Sequence, residues 1–379
     1  MRKRTLMRIS NKLGLLYFIV HFIIEVTCYY IMGIYDTSNT IMILAFVYDF
    51  IAFVPEGFYG ALRDIGVKIN FAAVGLVLSS SALIMLYFNV FPLIVVIVLT
   101  IGNGLIHVEG AEETLRNSNG KIFPSAFFVA GGAFGVITGK LLSHYMVNIW
   151  IILAINLLTI VPLVIAAHIK RSADISSSGK LQKQNHFQHQ TDNTDTTTVV
   201  SKPIGYSQSK PGLAAVVVII CATFVVIVRS YMGFILPIEW NDSLTKAIPL
   251  FCSMGLGKAL GGWLVDYIGI RKTITISTLG ALPFILLGNS TMILSLIGIM
   301  MFSMTMAIAL ALLVSVMNNY PGVAFGFTTV GLFLGVVFAY VFHFDSYFAN
   351  CLVISALSVI CFIILYFISN NHIENNKAS

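Results

Sequence analysis

Three acids and three cationic or cation-forming side chains interrupt otherwise apolar stretches of this 379-residue chain: Glu25, Asp49 and Glu109, with His21, His107 and Arg229. His21 and Glu25 are one helical turn apart and share a helix face. Asp49 lies in the next apolar stretch, with Glu56 two turns further on, and Arg229 interrupts the seventh. An ionisable group at mid-bilayer costs ~2.5–3.5 kcal/mol on insertion scales, so each is a candidate for work on an ion or a solute. A carboxyl group in low-dielectric surroundings takes up and releases a proton near neutral pH, which makes Glu25 and Asp49 candidate proton carriers. An imidazole beside one tunes or relays that proton, the part open to His21. Arg229 stays protonated at any accessible pH and is expected to act as counter-charge to an acid or an anionic solute. His107 and Glu109, near the inner end of the fourth stretch, either join this group or are solvated by snorkelling. The plainer alternative throughout is a hydrogen-bonded pair that fixes helix packing.

Composition decides that these positions are inside a membrane. The chain is 58% hydrophobic and only 10% charged, with a mean hydropathy of +0.90, whereas a soluble domain carries about a quarter charged residues. Crossing ~30 Å of hydrocarbon takes ~20 apolar residues, and twelve such stretches are present. They run roughly over 13–34, 41–62, 69–88, 91–111, 122–144, 148–169, 212–236, 245–265, 273–288, 291–317, 322–342 and 347–369. The opening MRKRTLMRISNK precedes an apolar run too long for a signal peptide, so that run is read as the first helix. If the amino terminus is cytoplasmic, the inside loops and tails collect all of the 22 basic residues except Lys140, Arg229, Lys246 and Lys258, which places both termini inside. The net charge of +6 therefore reports orientation and gives no reason to invoke nucleic acid.

Cys28, Cys221, Cys252, Cys351 and Cys361 all fall within expected helices, at spacings that suit neither a disulfide framework nor a metal site. Between the sixth and seventh helices, SADISSSGKLQKQNHFQHQTDNTDTTTVVSKPIGYSQSK is poor in aliphatic residues and reads as a disordered linker. Its His186 and His189 have no Cys or acid at ligand spacing, so no metal and no cofactor is expected. No phosphate-binding loop or nucleophilic triad is visible, so the chain is not read as an enzyme. The linker, 171–210, separates a bundle at 1–170 from one at 211–379. The halves match each other: GALRDIGVK after the second helix parallels GWLVDYIGIRK after the eighth, setting Asp64 against Asp266. FPSAFFVAGGAFG likewise parallels YPGVAFGFTTVGLFLG, setting Pro124 against Pro321. An internal duplication of this kind marks many secondary transporters.

Gly262, Leu264, Asp266, Gly269, Arg271 and Lys272 resemble the Gly-x-Leu-x-Asp-x-x-Gly-x-Arg-Lys signature of the major facilitator superfamily. The first copy keeps Gly60, Leu62, Asp64 and Gly66, with the second glycine one place early and Lys68 alone for the basic pair. The resemblance implies an all-α membrane protein of twelve transmembrane helices in two pseudo-symmetric six-helix bundles around a central cavity. It also implies that Gly60, Asp64, Gly262, Asp266, Gly269, Arg271 and Lys272 form a cytoplasmic gate. GNGLIHVEGAEETLRNS at 102–118 and Arg229–Ser230 look like the fosmidomycin-resistance type of efflux protein. GGAFGVITG at 131–139 departs from a drug-antiporter signature at Val136, but its Gly131, Gly135 and Gly139 suit close helix packing.

The function implied is alternating-access export of a small amphipathic drug or metabolite, driven by protons, by a monomer in contact with lipid in a bacterial inner or plasma membrane. Uptake of a small anionic nutrient with Arg229 as counter-charge is the first alternative. A membrane sensor or scaffold that transports nothing is the second. Polar disorder contributes little packing, so shortening residues 176–205 is expected to leave membrane insertion and transport intact. Loss of transport at normal membrane levels, read by immunoblot and vesicle flux, contradicts that expectation.

Overall fold

The computed structural model describes the backbone of residues 2–36, 40–188, 212–236, 238–342, 344 and 346–378, and within them the side chains of 10, 12–168 and 212–369. Among the described residues there are fifteen α-helices, one π-helical turn and no strand. The first half comprises α1 (Arg2–Tyr35), α2 (Ile41–Phe53), α3 (Glu56–Asp64), α4 (Phe71–Tyr87), α5 (Pro92–Arg116), α6 (Phe123–His144) and α7 (Ile149–Gln188). The second comprises α8 (Leu213–Phe234), α9 (Leu244–Ile268), α10 (Ile270–Thr275), the π turn Ile276–Gly280 and α11 (Ala281–Leu287). It continues with α12 (Met292–Ser303), α13 (Thr305–Val316), α14 (Pro321–Val341) and α15 (Tyr347–Ala378).

These elements make the twelve expected crossings. Eleven runs of 18 to 25 residues are long and apolar enough to span a bilayer, and Phe71–Tyr87 supplies a shorter one of 17 residues. Three crossings are interrupted. The second breaks at Val54–Pro55, where the proline has no N–H to continue the hydrogen-bond ladder although Val54 keeps helical dihedrals, and α3 restarts with Glu56 in its first turn. The ninth, shortest of the eleven, runs from Ile270 to Leu287 through the π turn, and the tenth pauses at Met304. The segment read as a disordered linker from 171 continues the backbone of α7 as helix to Gln188, because extending a formed helix adds one hydrogen bond per residue without a new nucleus. Residues 189–211, including His189, lie outside the described residues.

Each half has its own apolar core. The first gathers residues of α1, α2 and α4 to α7 and takes in Ala307, Leu310 and Phe325 from the second half, whose own core is built from its own helices. Gly131, Gly135 and Gly139 lie on one stripe of α6, and α1 lies against that stripe. A Cβ at Gly131 would sit 2.5 Å from the Phe18 carbonyl oxygen, one at Gly135 2.7 Å from Glu25 Cβ, and one at Gly139 2.5 Å from the Val26 carbonyl oxygen. The stripe thus lets α1 present Glu25 towards the bundle interior. The two halves meet through α6 against α9 and α3 against α14, where Gly60 packs directly on Gly322 and Gly262 on Ala126 and Phe123.

Replacing Gly131 by Ala forces the α1 backbone away and is expected to destabilise the first half by about 1–3 kcal/mol, the usual cost of overpacking. Gly233→Ala, where a Cβ meets nothing within 4 Å, serves as control. Thermal melts of both purified variants check this: a Gly131→Ala melting temperature equal to the control's contradicts the packing assignment.

Candidate functional site

Helix α5 carries the centre of the site. Asn103 and His107 are one turn apart on it, and both point into the first bundle, Asn103 fully buried and His107 nearly so. His107 Nδ1 lies 2.8 Å from Glu56 Oε1 on α3, while His107 Nε2 lies 3.1 Å from Glu25 Oε1 and 2.9 Å from His21 Nε2, both on α1. His21 Nε2 is itself 3.6 Å from Glu25 Oε1, and its Nδ1–H donates to the Phe128 carbonyl of α6 at 3.0 Å. Asn103 Nδ2 donates to Glu25 Oε1 at 3.3 Å and to the Tyr48 hydroxyl at 2.8 Å. Gly132 makes room for this, since a Cβ there would lie 2.5 Å from His21 Nε2. Two carboxylates and two imidazoles therefore share one buried volume. Among the described residues, no Lys or Arg lies within ion-pair distance of Glu25 or Glu56. His21, Glu25 and His107 place one potential ligand atom each within 4.8 Å of one another, a grouping that could hold a metal ion.

A second charged group lies towards the side of the bundle where both chain ends lie. Arg63 Nη2 donates to Glu112 Oε2 at 2.9 Å and to Glu113 Oε1 at 3.1 Å, with Glu109 Oε2 3.9 Å from Nη1. Glu109 also accepts from the Tyr17 hydroxyl at 3.1 Å and from the Ala72 N–H, in the first turn of α4, at 3.1 Å. Glu109 is therefore neither part of the group around His107 nor snorkelling; it is a buried acceptor turned to Tyr17, Ala72 and Arg63, while His107 joins His21, Glu25 and Glu56. Arg116 bonds Glu112 and also donates to Asp64 Oδ1 at 2.9 Å.

Asp64 and Asp266 hold the halves together at this end. Asp64 accepts the Gly322 and Val323 N–H groups at 3.1 and 2.9 Å, which open α14 in the opposite half. Asp266 accepts the Ile122 and Phe123 N–H groups at 2.9 Å each, which open α6. Each carboxylate satisfies unpaired donors at a helix start and faces its positive end. Gly66 and Gly269 follow them at φ of +92° and +89°, a region that disfavours any side chain, so the degenerate first copy keeps the turn geometry despite its shifted glycine.

Other expected residues are elsewhere. Asp49 is half-buried on α2, within electrostatic range of Glu25 but in no hydrogen bond or ion pair with the cluster. Arg229 is buried on α8 with Nε unpartnered and its guanidinium carbon 5.9 Å from the Phe302 ring centre; no carboxylate among the described residues pairs with it. Lys258 on α9 lies within electrostatic range of both Arg229 and Glu25. Arg271 stands over the Tyr366 ring at 6.0 Å, and neither it nor Lys272 makes an ion pair among the described residues. Glu56, Asn103, Tyr48, Arg63, Glu112 and Glu113 take part without having been singled out as site residues. The one-turn spacing of Asn103 and His107 was a legible signal. The small cavity lined by Leu236, Ile238, Ile285, Ser295 and Ile299, about 10 Å³, has room for no more than a water and lies wholly in the second half.

No family model matches this sequence, and no curated protein does. Among solved structures, the chain is similar to a single-residue variant of the E. coli fucose:proton symporter FucP, at 13% identity and a TM-score of 0.56, covering 95% of this chain and 98% of that one. It is also similar to FucP, a major facilitator superfamily transporter, in the outward conformation, at 13% identity and a TM-score of 0.55 over the same shares. The chain has the major facilitator fold: two pseudo-symmetric six-helix bundles.

Replacing Asp266 by Asn removes about 1–2 kcal/mol of charge–dipole attraction. That shifts an opening equilibrium by roughly an order of magnitude. Asp266→Asn is accordingly expected to lower turnover far more than it changes equilibrium binding of a solute. Binding and flux measured on one preparation check it: a parallel fall in both overturns the latch assignment.

Proposed function

We propose that this chain, built on the major facilitator fold, is a secondary active transporter. It works by alternating access and is coupled to protons through Glu25, His21, His107 and Glu56. The observation that carries the reading is the buried cluster itself: two carboxylates and two imidazoles in hydrogen-bond contact, with no Lys or Arg among the described residues in ion-pair contact with either carboxylate and Lys258 only within electrostatic range of Glu25. Such a cluster is stable only with a bound positive charge, and a proton shared along His21, His107 and Glu25 supplies one. Cluster occupancy then biases which side is open, because a charged, unpaired cluster costs several kcal/mol when sealed from water.

Asp64 and Asp266 act as matching latches on the side of the chain ends, which the distribution of Lys and Arg assigns to the cytoplasm of a cell membrane. Their contacts hold that side closed. Breaking both frees α14 and α6 and allows the halves to rock apart. Export of a small amphipathic compound remains the preferred reading, and Arg229 favours a solute that carries a negative charge. A buried guanidinium with an unpartnered Nε, near Lys258, is the arrangement an anion completes. The same cycle runs in reverse, so the sign of the gradients sets the direction.

In proteoliposomes with an imposed pH gradient, Glu25→Gln is expected to abolish proton-driven accumulation while retaining solute exchange at equal concentrations, because an amide carries no proton. Asp49→Asn, outside the cluster, is expected to keep most of the driven flux. Arg229→Gln should weaken binding of an anionic solute by roughly tenfold or more, the loss of one charge-assisted contact. Undiminished accumulation by Glu25→Gln refutes proton coupling at this cluster.

A further inference from the structure

We propose that His21 Nε2, His107 Nε2 and Glu25 Oε1 form a binding site for a divalent transition-metal ion of the zinc type. The three atoms make a triangle with sides of 2.9, 3.1 and 3.6 Å. Zinc bonds of about 2.0–2.2 Å set neighbouring ligands roughly 3.3 Å apart in a tetrahedron, so one ion above this triangle reaches all three without rearrangement. The donor set, two imidazoles and one carboxylate, is one that zinc takes and that ions preferring all-oxygen shells, such as calcium and magnesium, do not.

The rings are already turned for the task. A carbonyl only accepts, so the contact with Phe128 fixes the hydrogen of His21 on Nδ1 and leaves the Nε2 lone pair facing inward. Glu56 does the same for His107 from behind, and a carboxylate behind a histidine is the arrangement that orients metal-bound imidazoles and strengthens them as ligands. Two lone pairs 2.9 Å apart beside a carboxylate oxygen repel unless a positive centre lies among them. Charge gives the same answer independently. Glu56 Oε2 and Asn103 Oδ1 are buried without hydrogen-bond partners, and among the described residues no Lys or Arg makes an ion pair with either carboxylate, Lys258 lying only within electrostatic range of Glu25. A divalent ion neutralises both, where one proton neutralises one. None of this is visible as a sequence motif, because the ligands come from two helices more than eighty residues apart.

The site is the one on which the proton-coupling reading rests, with the metal in place of the proton. The test uses the full-length chain in detergent, with any affinity tag removed and metal stripped by a chelator. Zinc chloride is added under calorimetry, and cobalt(II) in a parallel visible-absorption titration. One equivalent of zinc per chain is expected, with a tetrahedral cobalt spectrum. His107→Gln should weaken zinc binding at least 100-fold, and Glu56→Gln, which touches no metal, by about 10–100-fold. A double His186→Gln/His189→Gln variant should bind zinc as the parent does. Gel filtration and circular dichroism must match the parent for each variant. The parent's cobalt spectrum reads the site without any substitution.

Absence of stoichiometric zinc, an octahedral cobalt spectrum, retention of binding in His107→Gln, or its loss in the linker variant overturns the proposal. Zinc binding without proton-driven flux refutes only the coupling reading. Proton-driven flux that depends on Glu25, in a chain that binds no zinc, refutes only the metal site.

Discussion

Burial of Glu25 and Glu56 without an ion-paired guanidinium or ammonium among the described residues is the constraint on which the rest of this structure depends. A carboxylate in a low-dielectric interior is tolerated only with hydrogen bonds and an opposite charge nearby. Here the hydrogen bonds come from His107 and Asn103 on α5, and the geometry that delivers them is built from ordinary packing devices. The glycine stripe on α6 brings α1 close enough to place Glu25 and His21. The break at Pro55 restarts the second crossing so that Glu56 faces His107. The balancing charge is not supplied by a Lys or Arg in ion-pair contact, and this is the property on which both the proposed proton coupling and the proposed metal site rest.

Charge pairing takes a different form at the side of the chain ends. Arg63 and Arg116 pair with Glu109, Glu112, Glu113 and Asp64 within the first half, so these acids are balanced by the fold itself. Asp64 and Asp266 then bond across the interface to backbone N–H groups, and among the described residues no side-chain cation makes an ion pair across the halves there. Backbone donors at a helix start are rigid and few, so each latch is strong in one arrangement and lost after a small rotation of the facing helix. The two contacts are related by the internal duplication, and this is the symmetry that the proposed opening of the two halves would use.

The two halves divide the work unequally. The first carries the cluster and the ionic network, whereas the second offers Arg229 and Lys258, cations without carboxylate partners among the described residues. Lys140 reaches from the first half between the Tyr29 and Phe251 rings, at 5.7 and 5.5 Å, and so joins the two by cation–π contact. The charge distribution is thus asymmetric on a pseudo-symmetric scaffold, which is the asymmetry the proposed coupling would use.

Composition and spacing alone determined the membrane class, the twelve crossings, the duplication, and the glycine and aspartate positions of the two loops. Each depends on local physics: apolar length, loop charge, and a turn that needs glycine at Gly66 and Gly269. The pairing of His21 with Glu25 was legible for the same reason, as one helical turn. Only the tertiary structure decided that His107 joins them while Glu109, two residues later, turns to Arg63, because residues two apart on a helix face different neighbours. It also decided that Asp49 stays outside the cluster and that Glu56, seven residues on and past a proline break, enters it. Those outcomes depend on how α1, α3 and α5 pack against one another, and no spacing along a single helix encodes a contact between three.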